Sequence, residues 1–156
     1  MKKFKLLLAV GALAALSLNA SAKMSEGDYV DKFCTGTVEY LLPDKTRVDC
    51  DLPKESQEYD WQTKWYEGVG QALYYSMSTG KGGGLVLIAK NDKWKKYTDR
   101  AKATILHYDL PLSLYVIKPN AKNITLLYHY RSPVKIQNLL LNRFNREDPR
   151  WVSGVS

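Results

Sequence analysis

The stretch QEYDWQTKWYEGVGQALYYSMSTGKGGGLVLIA, residues 57–89, reads as strand, helix, strand and decides the fold class. Gln57 to Asp60 is a short strand. From Trp61 to about Thr79, residues Trp61, Trp65, Val69, Leu73 and Ser76 recur at three- and four-residue steps, the period of an amphipathic helix. Gly80-Lys81-Gly82-Gly83-Gly84 stops that helix and connects it onward. Leu85 to Ala89 is a continuous apolar run, the pattern of a strand covered on both faces. The glycines lack the GxxxxGK[ST] spacing and follow a helix, which excludes a phosphate loop.

Working outward toward the N-terminus, Arg47 to Leu52 alternates. Arg47, Asp49 and Asp51 fall on one side, and Val48, Cys50 and Leu52 on the other. Pro43-Asp44-Lys45-Thr46 is a turn, and Val38 to Leu42 forms the preceding strand. Tyr29, Val30 and Phe33 predict a short helix within Met24 to Phe33. Toward the C-terminus, Asn91-Asp92 is placed to cap a helix running to Leu106, with Trp94, Tyr97, Ala101 and Ile105 facing inward. Leu112 to Ile117 is a buried strand. The order α-β-β-β-α-β-α-β predicts an α/β domain over residues 23–117, a mixed sheet flanked by helices on both sides. Residues 118–156 form a C-terminal extension, a loose addition or disordered, in which 124–130 reads as an edge strand and 136–144 as a short amphipathic helix.

The first 22 residues have another purpose. Met1-Lys2-Lys3-Phe4-Lys5 is cationic, Leu6 to Leu18 is apolar, and Ala20-Ser21-Ala22 offers the small residues that a signal peptidase requires. The apolar run is shorter than the ~20 residues of a membrane span. A cleaved bacterial signal peptide follows, with the mature protein periplasmic or secreted and not held in the membrane. Its loss takes three lysines from the 23 basic residues, leaving 20 against 16 acids, a moderate net +4. Such a charge suits a polyanionic partner without requiring one. Cys34 and Cys50, the only cysteines, read as one disulfide in an oxidising compartment. His107 and His129 show no zinc-ligand spacing, and no His lies near Ser76 or Ser78 to make a serine hydrolase.

Four acids gather where three strands meet a helix: Glu39, Asp49, Glu58 and Asp60. Glu58 and Asp60 project to one face of their strand, and the expected pairing puts Asp49 beside Glu58. Carboxylates that close repel unless a proton or a cation separates them, and magnesium suits such oxygen ligands. Lys64, Gln71 and Tyr75 lie on one stripe of the following helix. Each residue also has a plainer role. Glu58 and Asp60 fit a solvated edge, and Lys64 with Asp60 fits a surface salt bridge at i,i+4 spacing.

Asp49, then Glu58-Tyr59-Asp60-Trp61-Gln62-Thr63-Lys64-Trp65, then Gly70-Gln71-Ala72-Leu73-Tyr74-Tyr75 resembles the PD-(D/E)xK nuclease superfamily. The likeness is to its branch carrying a Q-x-x-x-Y motif, and covers residues 26–117. Thr46-Arg47-Val48-Asp49-Cys50 with the later pieces is similar to small exported members. The resemblance implies a three-layer restriction-endonuclease-like core. It makes Asp49 and Glu58 the magnesium ligands, with Asp60 beside them, and Glu39 the upstream acid. Gln71 and Tyr75 become contacts to the site or the nucleic-acid backbone. The family's lysine would fall at position 60, which here is Asp60, so Lys64 takes its place from the helix or turnover is lost.

The activity implied is metal-assisted hydrolysis of phosphodiester bonds, DNA ahead of RNA. The metal would polarise the phosphate and activate water, and Lys64 would stabilise developing charge. Lys81, Lys90, Lys93, Lys95 and Lys96 would contact phosphates. The alternative is a degenerate nuclease fold that binds nucleic acid or an envelope partner without cutting.

Overall fold

The computed structural model describes residues 23–131. The signal peptide expected at 1–22 and the helix expected at 136–144 lie outside the described residues. In chain order the elements are α1 (Glu26–Phe33), β1 (Thr37–Leu41), β2 (Arg47–Asp51), β3 (Glu55–Trp61), α2 (Trp65–Thr79), β4 (Gly82–Ile88), α3 (Trp94–His107), β5 (Leu112–Ile117) and β6 (Thr125–Tyr128). The architecture is α/β. One six-stranded mixed sheet runs in the order β1-β2-β3-β4-β5-β6. β3, β4 and β5 are parallel, and β1, β2 and β6 add antiparallel edges.

Two cores flank this sheet. On one face Val69 and Ala72 of α2, with Ala101 and Ile105 of α3, close over Leu85, Leu87, Leu112 and Leu114. On the other, Val30 of α1 packs with Cys50, Tyr59, Val86, Ile88 and Ile117. The parallel strands are therefore covered on both faces, as their unbroken apolar runs require. The expected disulfide joins Cys34 to Cys50 and ties the end of α1 to β2. Among the described residues no helix is long and apolar enough to cross a membrane.

Three details differ from the sequence reading. Gln62 to Lys64 form a 3-10 turn, so α2 proper begins at Trp65. Its most buried positions are Gly68, Val69, Ala72 and Tyr75, whereas Trp65 and Leu73 are only half buried. Small residues win that face because the helix lies close to the sheet: a Cβ on Gly68 would stand 2.6 Å from Leu85 Cδ1. Only Gly80, with φ 67°, is the helix stop; Gly82 to Gly84 belong to β4. They pair with Glu55, Ser56 and Gln57 of β3, and α2 passes directly over Gly83, where a Cβ would meet Ser76 Cβ at 3.0 Å and Ala72 O at 3.2 Å. The run reads as a loop only while its neighbours are unknown. Past Ile117, β6 pairs antiparallel with β5, and Leu127 and Tyr128 pack against the core.

Candidate active site

The ladder between β2 and β3 is in register only at Cys50–Gln57 and Asp51–Ser56. Beyond it, toward Asp49 and Glu58, a side chain takes over from the backbone. The Asp49 carboxylate accepts the Tyr59 N–H at 2.8 Å. A cleft of roughly 320 Å³ opens there, lined by Glu26, Glu39, Asp49, Glu58, Asp60, Lys64 and Gln71 among others. α1, strands β1 to β3, and α2 with the turn before it all contribute. Of the ten lining residues five are acidic and only Lys64 is basic.

The floor of the cleft is its least comfortable part. Glu58 is 5% exposed and Asp60 4%. Glu58 pairs with Leu85 and Asp60 with Leu87, so both carboxyls share the face that carries the α2 core. Glu58 Oε2 is buried with no hydrogen-bond partner. Burial, then the charges of Asp49 and Asp60, push its carboxyl up to about 10. Asp49 is pushed up to about 6, mainly by burial and against the stabilising Tyr59 N–H. Asp60 rises to about 7 for the same leading reason, with Glu26 adding to it and the Trp61 N–H, donated at 2.7 Å, opposing it. Three carboxyls that resist ionisation in one cleft amount to a demand for a bound proton or for positive charge.

Lys64 meets part of that demand. Its ammonium stands 4.0 Å from Asp60 Oδ1 and 3.8 Å from Glu67 Oε2, half exposed at the cleft mouth. Gln71 is exposed on the next turns of α2 and also lines the cleft. Tyr75, four residues on, is buried with Leu42 and Val48. Burial and the nearby Glu58 raise its hydroxyl to about 12, so it stays protonated. Glu39 lies at the rim, exposed, 3.8 Å from Arg47. Its φ of 53° is left-handed, an unusual conformation for a non-glycine residue in a strand.

Lys81 is not brought to this cleft. Its ammonium contacts both Asp51 oxygens at 2.7 Å and the Leu52 carbonyl at 2.9 Å, so the phosphate contact expected of it is replaced by a clamp between α2 and β2. Glu26 is the residue the sequence reading missed. It opens α1, lines the cleft, and accepts the Trp61 N–H at 3.2 Å. Its only local signal was a place in a first helical turn, where acids are common because they favour the helix dipole.

The donor set fits a hard divalent cation. An orphaned buried carboxylate oxygen, the Asp49 carboxyl close to Glu58, and space in the cleft suit the ligation magnesium accepts, one or two carboxylates with the rest water. Among the described residues no group of three or more His, Cys, Asp or Glu side chains is already gathered around one point. The fit is thus to Asp49 and Glu58 rather than to a closed cage.

The chain matches no known family model, no curated protein and no solved structure.

Proposed function

We propose that this protein is a magnesium-dependent phosphodiester hydrolase acting on nucleic acid, exported to the periplasm or the medium. The observation that carries the proposal is the buried Glu58 carboxyl, its Oε2 without a hydrogen-bond partner, at the floor of an acidic cleft with a single ammonium at its mouth. Asp49 and Glu58 would hold the ion, and Asp60 stands beside them. Magnesium bound there supplies charge neutralisation for a phosphate and a more acidic water. The remaining work falls to the chain. Lys64 offers a mobile ammonium to the charge that develops on the phosphate. Gln71 offers an amide at the rim to orient a backbone oxygen, and Tyr75 lies buried one turn further along α2. The likeness to PD-(D/E)xK nucleases supports this assignment of roles, and the disulfide suits an oxidising compartment.

A second reading has its own observation. Asp60, where that family would carry lysine, is buried, and Lys64 approaches it only to 4.0 Å. A cleft so arranged could bind a cation and a nucleic acid without cutting. Cleavage of labelled single- and double-stranded DNA and RNA decides between the two. With magnesium or manganese, turnover is expected for the parent protein, with loss on EDTA addition. An Asp49→Ala/Glu58→Ala variant is expected to lose at least a hundredfold in rate, the scale of removing a group that stabilises the transition state. Metal-independent cutting, or cutting unchanged in that variant, would refute the hydrolase assignment.

A further inference from the structure

The carboxyl ends of the parallel strands carry a row of lysines and tryptophans that the cleft chemistry leaves unused. Trp61, Ile88 and Ile117 are register partners across β3, β4 and β5, so the three strands end side by side. At a strand spacing of ~4.8 Å the row spans on the order of 10 Å. Lys90 follows β4, and its ammonium sits 3.9 Å above the Trp61 ring. Lys118 follows β5, and its ammonium sits 5.3 Å from the centre of the Trp94 ring, at the start of α3. Both lysines are exposed and both indoles half buried, Trp61 packing against the second core and edge-on to Tyr29, so the surface a base could take is the one under each ammonium.

These pairs are held in place. Gln62 is 1% exposed and ties the exit of β3 to the loop after β4. Its amide donates to Asn91 Oδ1 at 3.0 Å, and its carbonyl accepts the Lys90 N–H at 3.2 Å. Ala89 N–H donates to the Ile117 carbonyl at 2.9 Å, fixing the exit of β4 against that of β5. Among the described residues, neither Lys90 nor Lys118 forms a salt bridge. Two ammonium groups without counterions, each parked on an aromatic ring, leave both a phosphate partner and a stacking surface unfilled. The row begins at Trp61, next to Asp60 in the cleft, and leads away from it.

We propose that this edge binds a single strand of nucleic acid, its bases stacking on Trp61 and Trp94 while Lys90 and Lys118 swing from the rings to the phosphates. Stacking is tolerant of sequence because every base has a π-face, and it requires unpaired bases. A duplex would offer phosphates but no base to either ring. The inference rests on the nucleic-acid reading of the cleft, though not on turnover there.

The test uses the purified protein, a twelve-residue thymidine oligonucleotide, and a blunt duplex of the same length. Binding is followed by fluorescence anisotropy and by tryptophan emission in calcium, and cleavage separately in magnesium. The single strand is expected to quench the tryptophans and to bind at least tenfold more tightly than the duplex. A Lys90→Gln/Lys118→Gln variant should bind at least tenfold more weakly, with a salt slope flatter by one to two, the signature of two lost phosphate contacts. Trp94→Leu should weaken the single strand alone. Equal binding of strand and duplex with unchanged emission would overturn the proposal, as would a lysine variant with the parent's affinity and salt slope. Lysine-dependent binding without cleavage under any metal would sink the hydrolase and leave this edge standing. Cleavage with no dependence on either lysine would do the reverse.

Discussion

Glu58 is where the cost of this site is concentrated. Its carboxyl, ordinarily near 4.5, is pushed up to about 10 by burial first and by Asp49 and Asp60 next. The folded state therefore holds that proton more tightly than the unfolded chain does. The stability it supports is complete below about 4.5 and is lost as pH rises toward the folded value. Without divalent cations, the melting temperature should fall between pH 5 and pH 9. Glu58→Gln, which keeps the shape and removes the ionisation, should flatten that fall and stabilise the protein at pH 8 by on the order of 1–3 kcal/mol. Magnesium should flatten it for the parent as well. Thermal melts across pH with EDTA or magnesium check this, and parallel slopes for parent and variant would refute it. Gly68 is the steric counterpart. A methyl there must displace Leu85, with Asp60 Cβ 3.4 Å away. Gly68→Ala should cost about 1–3 kcal/mol, as overpacking does, and should impair the cleft beyond the loss of folded protein. Denaturant titration beside a rate per folded molecule measures both.

At the scale of elements, α1 is the least anchored contributor to the site. It is eight residues long and carries a capping box between Ser25 and Asp28. Its attachments are Val30 in the core with Tyr29 and Phe33 packed against it, the contacts of Tyr29 and Glu26 to Trp61, and the Cys34–Cys50 bridge. Cys50 adjoins Asp49, so the disulfide ties the helix bearing Glu26 to the strand bearing a candidate ligand. By loop entropy, with a separation of 16 residues, the bridge is worth about 3 kcal/mol. A Cys34→Ser/Cys50→Ser variant should lose stability of that order and should also bind magnesium more weakly, because α1 is released from the cleft. Calorimetry of unfolding and of metal binding would show both, and unchanged metal affinity would separate α1 from the site. Lys81 belongs to the same scale. Asp51, which it clamps, is only 10% exposed at its side chain. Lys81→Ala leaves that charge with the Ser56 hydroxyl alone, so it should cost about 1–3 kcal/mol, the scale of losing a charged hydrogen bond. Cleavage per folded molecule should stay unchanged, the opposite of what a phosphate contact would give.

For the whole molecule, β6 decides how far the fold extends. It covers the otherwise open edge of β5, and Leu127 and Tyr128 join the core under α2 and α3. A chain ending at Ile117 would expose that strand and its ladder groups, a template for aggregation. It should yield little soluble protein and melt well below the parent. A soluble, equally stable chain of that length would show that the sheet needs only five strands.

Much of the architecture was legible in the sequence because its signals are local. Trp61 to Thr79 carries a helical period, Leu85 to Ala89 an apolar run too continuous for an edge, and Arg47 to Leu52 an alternation of two. Those periods determined the element order, both helical layers, and the strands that bear Asp49, Glu58 and Asp60. Two cysteines, behind an N-terminus that reads as a signal peptide, predicted a disulfide. What tertiary structure decided rests on contacts between residues far apart in the chain. Gly82 to Gly84 became strand because β3 paired with them, and α2 crosses the sheet where Gly83 has no side chain. Lys81 became a clamp because Asp51 came within 2.7 Å across 30 residues. Glu26 entered the cleft because α1 docked against the end of β3, 35 residues away. Burial made the carboxyl of Glu58 costly. Charge and hydrogen bonding act through space, so a linear pattern names the candidates, and only the folded chain shows which of them meet.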